Sequence, residues 1–170
     1  MNILNLVRRK SNGISGVLGG RLGTMEASLS IRVIRGDGTV ENKGVVSRKK
    51  VTDAFVAFLV DELQAHTGIE NFKYHDSGIG VGAENKTDTA LGTPCAEARD
   101  TGTQIEGATA NIYKTVATHT YADTFAITEH GVFSASSAGT LMDRSVFSAI
   151  NVVATDSIEF TYQLTINSET

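Results

Sequence analysis

Cysteine is nearly absent: Cys95 is the only one, so no intrachain disulfide can form, and the fold must be held by burial and hydrogen bonding. Nothing cationic beyond Arg99 stands near Cys95 in sequence to stabilise a thiolate, which points to a buried or incidental thiol. Tryptophan is missing and proline occurs once, at Pro94. No run approaches the roughly 18 apolar residues that a transmembrane helix needs, so no membrane association is expected. Arg8, Arg9 and Lys10 are followed by Ser-Asn-Gly-Ile-Ser-Gly-Val-Leu-Gly-Gly, too polar and too broken by glycine for the apolar core of a signal peptide. A secretion signal is not expected either.

Motifs for chemistry are equally scarce. The histidines, His66, His75, His119 and His130, follow no common zinc spacing, and one cysteine rules out the Cys-rich structural sites. Ordinary, partly exposed histidines are expected, with no metal and no cofactor. Ser134, His130 and Asp143 are the residue types of a hydrolytic triad, yet no G-x-S-x-G nucleophile elbow is present. Gly78-Ile79-Gly80-Val81-Gly82 invites a phosphate-loop reading, but neither the dinucleotide fingerprint nor Gly-Lys-Ser/Thr follows it. A bulged or close-packed β segment is expected there instead. The sequon at Asn85-Lys86-Thr87 carries no weight without a signal peptide. These failed spacings lead to the expectation of a protein that is not an enzyme.

What is present suits one globular domain. The chain has 170 residues, 41% hydrophobic and 20% charged, enough to bury a core and far from the composition of disordered chains. Its net charge of −4 hides a division: residues 1–50 hold ten Lys/Arg against three acidic residues, and the remainder five against sixteen. A basic end of this kind meets an acidic partner surface, folds back on its own acidic body, or joins identical subunits head to tail. Three contiguous cations without interleaved aromatics argue against nucleic acid as the target.

Residues 1–25 combine Gly13, Gly16, Gly19, Gly20 and Gly23 with isolated aliphatics, predicting a flexible basic arm that orders on a partner. Arg8, Arg9, Lys10, Ile14, Val17, Leu18 and Arg21 are its expected partner-binding residues. Residues 26–170 are expected to form the domain. Leu29, Ile31 and Val33 alternate with Ser30 and Arg32 as a half-buried strand, and Gly36-Asp37-Gly38 turns it into a return strand over Thr39–Val46. A helix over about 52–66, capped by Thr52, places Phe55, Val56, Leu59 and Leu63 inward. A strand is expected over Asn71–Asp76, then a long polar loop over about 83–109, too long for a plain connection and so a candidate contact surface. Strands are then expected at Ile112–Thr120, Asp123–Ile127, Gly131–Ser134, Leu141–Phe147 and Ser157–Asn167. In the last, Ile158, Phe160, Tyr162, Leu164 and Ile166 alternate with polar residues. Thr128-Glu129-His130-Gly131 reads as a polar turn, with Arg144 in reach of Glu129 or Asp143. The pattern predicts a mainly β chain: an antiparallel β-sandwich or small barrel with one surface α-helix and an extended N-terminal arm.

Four blocks carry a resemblance over about residues 50–167. They are Phe72-Lys73-Tyr74-His75-Asp76-Ser77-Gly78, Asp88-Thr89-Ala90-Leu91-Gly92-Thr93-Pro94, Ala126-Ile127-Thr128-Glu129-His130-Gly131-Val132-Phe133 with Gly139-Thr140-Leu141-Met142-Asp143-Arg144, and the closing strand. Together they resemble small virion structural proteins of tailed bacteriophages, in which T-A-L-G-T, I-T-E-x-G-[LIV]-F and a final D-S-[IL]-x-[FV]-T-Y-x-[LI]-T recur. The resemblance implies a β-rich particle component without catalysis. Its partners would be the major capsid protein or other virion proteins, with a homo-oligomer or neighbour contacts in the particle. Combined with the arm and the polar loop, it leads to the expectation of a capsid decoration or cement protein on the virion surface. A tail, collar or fibre-attachment adaptor is the alternative.

Overall fold

The computed structural model describes residues 25–49, 51–64, 71–95 and 97–167. Period-two patterning dominates its architecture. Strand β1 (Met25–Ile34) buries Ala27, Leu29, Ile31 and Val33 on one face, as alternation in a pleated strand requires. Gly38, at φ 87°, supplies the left-handed turn position, and the Gly38 amide donates to Arg35 O at 2.9 Å. The chain returns as β2 (Val40–Lys49), an edge strand with two register shifts against β1 and a left-handed Gly44.

Helix α1 (Asp53–Leu63) starts where expected, with the Thr52 hydroxyl accepting from the Phe55 amide at 3.2 Å. The same hydroxyl donates to Leu141 O at 2.5 Å. That second bond fixes the roll of the helix, and Phe55 and Phe58 both meet Phe72 edge-on at 5.0 Å. The inward stripe is therefore Phe55 with partly buried Phe58 and Leu59, while Val56 and Leu63, expected inside, are exposed. Residues 65–66 of the expected helix lie outside the described residues.

The remaining strands are β3 (Tyr74–Gly78), β4 (Asp100–Thr101), β5 (Thr103–Glu106), β6 (Ile112–Thr120), β7 (Phe125–Phe133), β8 (Leu141–Val152) and β9 (Ser157–Ile166). They form two antiparallel sheets, β2-β1-β9-β6-β5 and β4-β3-β7-β8. Neither closes on itself, so the fold is a sandwich and not a barrel. Gly102 is the corner where the chain passes from one sheet to the other; a Cβ there would run into Thr115 and His75.

Three expectations are corrected. The region 83–109 is not all loop, because it contains β4 and β5, short polar strands whose pairing is decided by neighbours across the sheet. The strand expected at Asn71–Asp76 begins at Tyr74. The segments Asp123–Ile127 and Gly131–Ser134 are one continuous strand, β7, and Thr128–Gly131 is no turn. A register shift between Ile127 and Glu129 absorbs the irregularity, and the polar side chains find partners inside the molecule.

The main core lies between the sheets, where Leu29, Ile31, Ile158, Phe160, Tyr162 and Leu164 face Ile127, Val132, Met142, Ile150 and Val152. A smaller cluster of Leu91, Phe133 and Leu141, with Tyr74 packed against it, is separate from that core. Ile166, at the end of the alternating run, is 46% exposed, beyond the reach of the core. Among the described residues no helix is long and apolar enough to cross a membrane.

Candidate functional site

Glu129 is fully buried, and its carboxylate is surrounded by donors. Oε1 accepts the amides of Gly80 at 3.0 Å and Thr93 at 2.7 Å. Oε2 accepts the Gly92 amide at 2.9 Å and the Arg144 guanidinium at 2.8 Å from Nε and 2.7 Å from Nη2. Arg144 also reaches Asp88 at 2.9 Å and Gly82 O at 3.2 Å. Burial alone would raise the Glu129 carboxyl; the Thr93 and Gly92 amides and Arg144 outweigh it and hold it below the usual value. The expected reach of Arg144 is thus realised with Glu129, while Asp143 takes the Ser145 hydroxyl at 2.9 Å.

This clamp explains the glycine-rich run. A Cβ on Gly78 or Gly80 would collide with the Glu129 carboxylate, and one on Gly92 with Arg144. The bulged or close-packed β segment expected over Gly78-Ile79-Gly80-Val81-Gly82 is found only in part: Gly78 ends β3 and Gly78 and Gly80 pack closely, while 79–82 are not strand and Gly82 has open space around it, and the anion against this backbone is the protein's own side chain. Thr128 adds a hydroxyl bond to Gly80 O at 2.9 Å, and the Ile79 amide donates to Thr93 O at 2.9 Å. Residues 79–94 are therefore tied to β7 and β8 and to each other.

Two of the sequence blocks singled out above, Asp88–Pro94 and Ala126–Phe133, meet here. In Thr89-Ala90-Leu91-Gly92-Thr93, Leu91 packs with Phe133 while Gly92 and Thr93 bind Glu129. In the block around Glu129, Gly131 leaves room for Leu91, whose Cδ2 would lie 2.9 Å from an added Cβ. Phe133 carries the Arg99 guanidinium over its ring at 3.4 Å, and Arg99 in turn holds Ala135 O at 2.9 Å and Ala138 O at 2.6 Å. The clamped loop turns two aliphatic side chains outward, Ile79 at 42% and Val81 at 80% exposure. Rigid backbone with protruding aliphatics suits a contact surface, since little ordering entropy remains to be lost on binding.

Three of the four histidines depart from expectation, and His66 lies outside the described residues. His75, His119 and His130 are all buried. His75 Nδ1 and His130 Nε2 lie 2.9 Å apart and share one proton, and His75 Nε2 meets the Thr115 hydroxyl at 3.1 Å. The His130 ring stacks on Phe160 at 4.4 Å. Burial lowers His75 to about 4 and pushes His130 well below its ordinary value, so both are neutral at pH 7. His119 pairs with Asp100. Burial drives Asp143 in the opposite direction, to about 7. The three residues of the imagined triad go separate ways: His130 to His75, Asp143 to Ser145, and Ser134 Oγ to the Thr140 amide at 2.9 Å. Cys95 is half-buried, and burial raises its thiol to about 11, far from a reactive thiolate.

The arm residues Arg8, Arg9, Lys10, Ile14, Val17, Leu18 and Arg21 lie outside the described residues. Among the described residues, no three His, Cys, Asp or Glu side chains are grouped as metal ligands would be. Comparison with family models, with curated proteins and with solved structures found no match. Sequence reasoning missed Glu129 as the organising residue by reading its block as a turn. The available signal was its place inside Phe125-Ala126-Ile127-Thr128-Glu129-His130-Gly131-Val132-Phe133, a run with no Pro, Asn or Asp to make a turn.

Proposed function

We propose that this protein is a structural component of a tailed-phage particle, a decoration or cement protein that binds the capsid lattice and stabilises the head. The observation that carries the proposal is the convergence of the two phage-like motif blocks on Glu129, which fixes a loop with Ile79 and Val81 outward. Polar residues that a catalyst would direct at a substrate are spent here on holding backbone. In this reading the sandwich sits on the lattice through the clamped loop, and the basic segment 1–25 reaches neighbouring acidic surfaces through Arg8, Arg9, Lys10 and Arg21. Two weak attachments on one chain act together, so loss of either lowers binding steeply.

The test is binding of the purified chain to particles assembled without it. Removing residues 1–24, which precede β1, is expected to leave a folded domain with at least about tenfold weaker binding, as loss of one of two linked sites implies. Val81→Asp is expected to weaken it comparably without lowering stability. Full-affinity binding by both variants would overturn the proposed contacts. Label confined to the tail would replace decoration with the tail-adaptor role.

A further inference from the structure

The five-stranded sheet ends in an edge that lacks the usual protection. An edge strand offers a row of unpaired backbone groups, and proteins blunt such edges with bulges, lysines, prolines, very short strands or a covering segment. Edge strand β2 has two register shifts, a left-handed Gly44 and Lys43. In the four-stranded sheet, β4 is two residues long, and β8 gives its Leu141 and Met142 carbonyls to Thr52. Among the described residues, β5 has none of these devices. Thr103-Gln104-Ile105-Glu106 pairs with β6 without a register shift, contains no Gly, Pro or Lys, and is exposed at every position.

The hydrogen-bond pattern fixes which groups are left over. Just past β5 the Gly107 amide donates to Ile112 O at 3.3 Å, continuing the register that sets Glu106 opposite Tyr113. In an antiparallel ladder, alternate residues bond to the same neighbour. Positions 103, 105 and 107 therefore bond toward β6, and the amides and carbonyls of Gln104 and Glu106 point away from the sheet. Gly102, the preceding even position, likewise sends its amide away from β6, to Lys73 O at 2.7 Å. On the outer face of the sheet, opposite the core, Ile105 lies in a row with Lys114 and Gln163 and is 41% exposed.

We propose that β5 is a self-pairing edge: it adds antiparallel to β5 of a second copy across a two-fold axis at Ile105, joining the five-stranded sheets of the two copies edge to edge. Gln104 of each copy then opposes Glu106 of the other, so every outward amide and carbonyl of both strands is bonded. The side chains agree with this register. The Gln104 amide gives one N–H to Tyr113 Oη at 3.0 Å and has a second for the opposing Glu106 carboxylate, while Ile105 meets Ile105. Neighbouring registers fail. An axis at Gln104 would oppose Glu106 to Gly102, whose amide is already bonded to Lys73 O, and an axis at Glu106 would set two carboxylates face to face. This match of the strand to itself favours a second copy as the occupant. Four residues a side bury less than the roughly 1,200–2,000 Å² of a stable interface, so the pairing depends on concentration. It stands on the sheet edge alone and not on the phage reading.

Disulfide linking in the full chain tests the register. In a Cys95→Ser background, Ile105→Cys places the two thiols in a non-hydrogen-bonded pair with Cα atoms about 4.5 Å apart, within the roughly 4.4–6.8 Å that a disulfide spans. Gln104→Cys places them on a diagonal at about 7–8 Å, beyond that reach. The expected result is an interchain disulfide that forms at least about tenfold faster at position 105 than at 104. Sedimentation equilibrium of the wild type should show monomer and dimer, with the balance moving toward dimer as salt screens the acidic bodies from each other. Ile105→Lys, at an exposed position, should keep the urea midpoint and raise the dimer dissociation constant at least about tenfold, because two like charges then face each other. Equal linking rates at the two positions, or a wild type still monomeric at millimolar concentration, would overturn the proposal. So would a dimer that Ile105→Lys leaves intact.

Discussion

At the scale of single residues, Glu129 is fully buried and its carboxylate accepts from three backbone amides and Arg144. Each of its oxygens is surrounded only by donors, so an amide is a poor substitute: wherever the Gln NH2 group points, it faces N–H groups. Glu129→Ala leaves Arg144 and three amides short of an acceptor and is expected to cost about 3–5 kcal/mol, and Glu129→Gln at least about 2 kcal/mol, by urea denaturation. The buried titratable groups predict a pH dependence. Between about pH 4.5 and 6 the unfolded chain takes up protons at His75 and His130 that the folded chain refuses. The folded chain keeps one at Asp143 that the unfolded chain releases. The unfolded state therefore holds about one extra proton, and stability rises with pH by about 1.4 kcal/mol per unit in that window. Asp143→Asn removes the opposing contribution, so the slope should roughly double. The same substitution should raise stability at pH 8, where the wild-type carboxylate is buried charged. Urea melts of both proteins at pH 4.5, 6 and 8 measure this.

At the scale of elements, the loop over residues 79–94 is no strand but is held at its two ends, where the Ile79 amide donates to Thr93 O and the Gly80, Gly92 and Thr93 amides donate to Glu129. Its Gly80, Gly92 and Thr93 amides should exchange with solvent as slowly as those of β7, and Gly80→Ala should release them together by pushing a methyl group into the Glu129 carboxylate. Fast exchange in the wild type would contradict a rigid loop. How much of this could be read in the sequence depends on where the partner of each residue lies. Strands β1, β6 and β9 alternate cleanly, because one face meets the core and the other water, and their pattern alone located them. The Thr52 cap was equally local. Strand β7 was misread because its polar residues are satisfied by groups distant in sequence: Glu129 by Gly92 and Thr93, His130 by His75. Composition signals burial only when the burial is apolar. The roll of α1 was misjudged for a related reason, since the Thr52 bond to Leu141 O and the position of Phe72 decide which face turns inward.

At the scale of the whole molecule, the lattice binding proposed above would assign different neighbours to different surfaces, the clamped loop of an acidic two-sheet sandwich and the basic N-terminal segment. Residues 51–170 carry sixteen acidic against five basic side chains, so neighbouring copies repel through their bodies unless the basic segments intervene. Attachment to particles should therefore weaken as salt rises, and Arg8→Glu with Arg9→Glu should abolish most of that salt dependence. The proposed role itself is tested most directly by searching for a tagged copy, expressed from its own gene, in virus particles purified from the cells that carry that gene, by gold labelling together with a copy count from mass spectrometry. A lattice-decorating protein predicts many copies per particle with label spread over the head. Particles that contain no copies would contradict it.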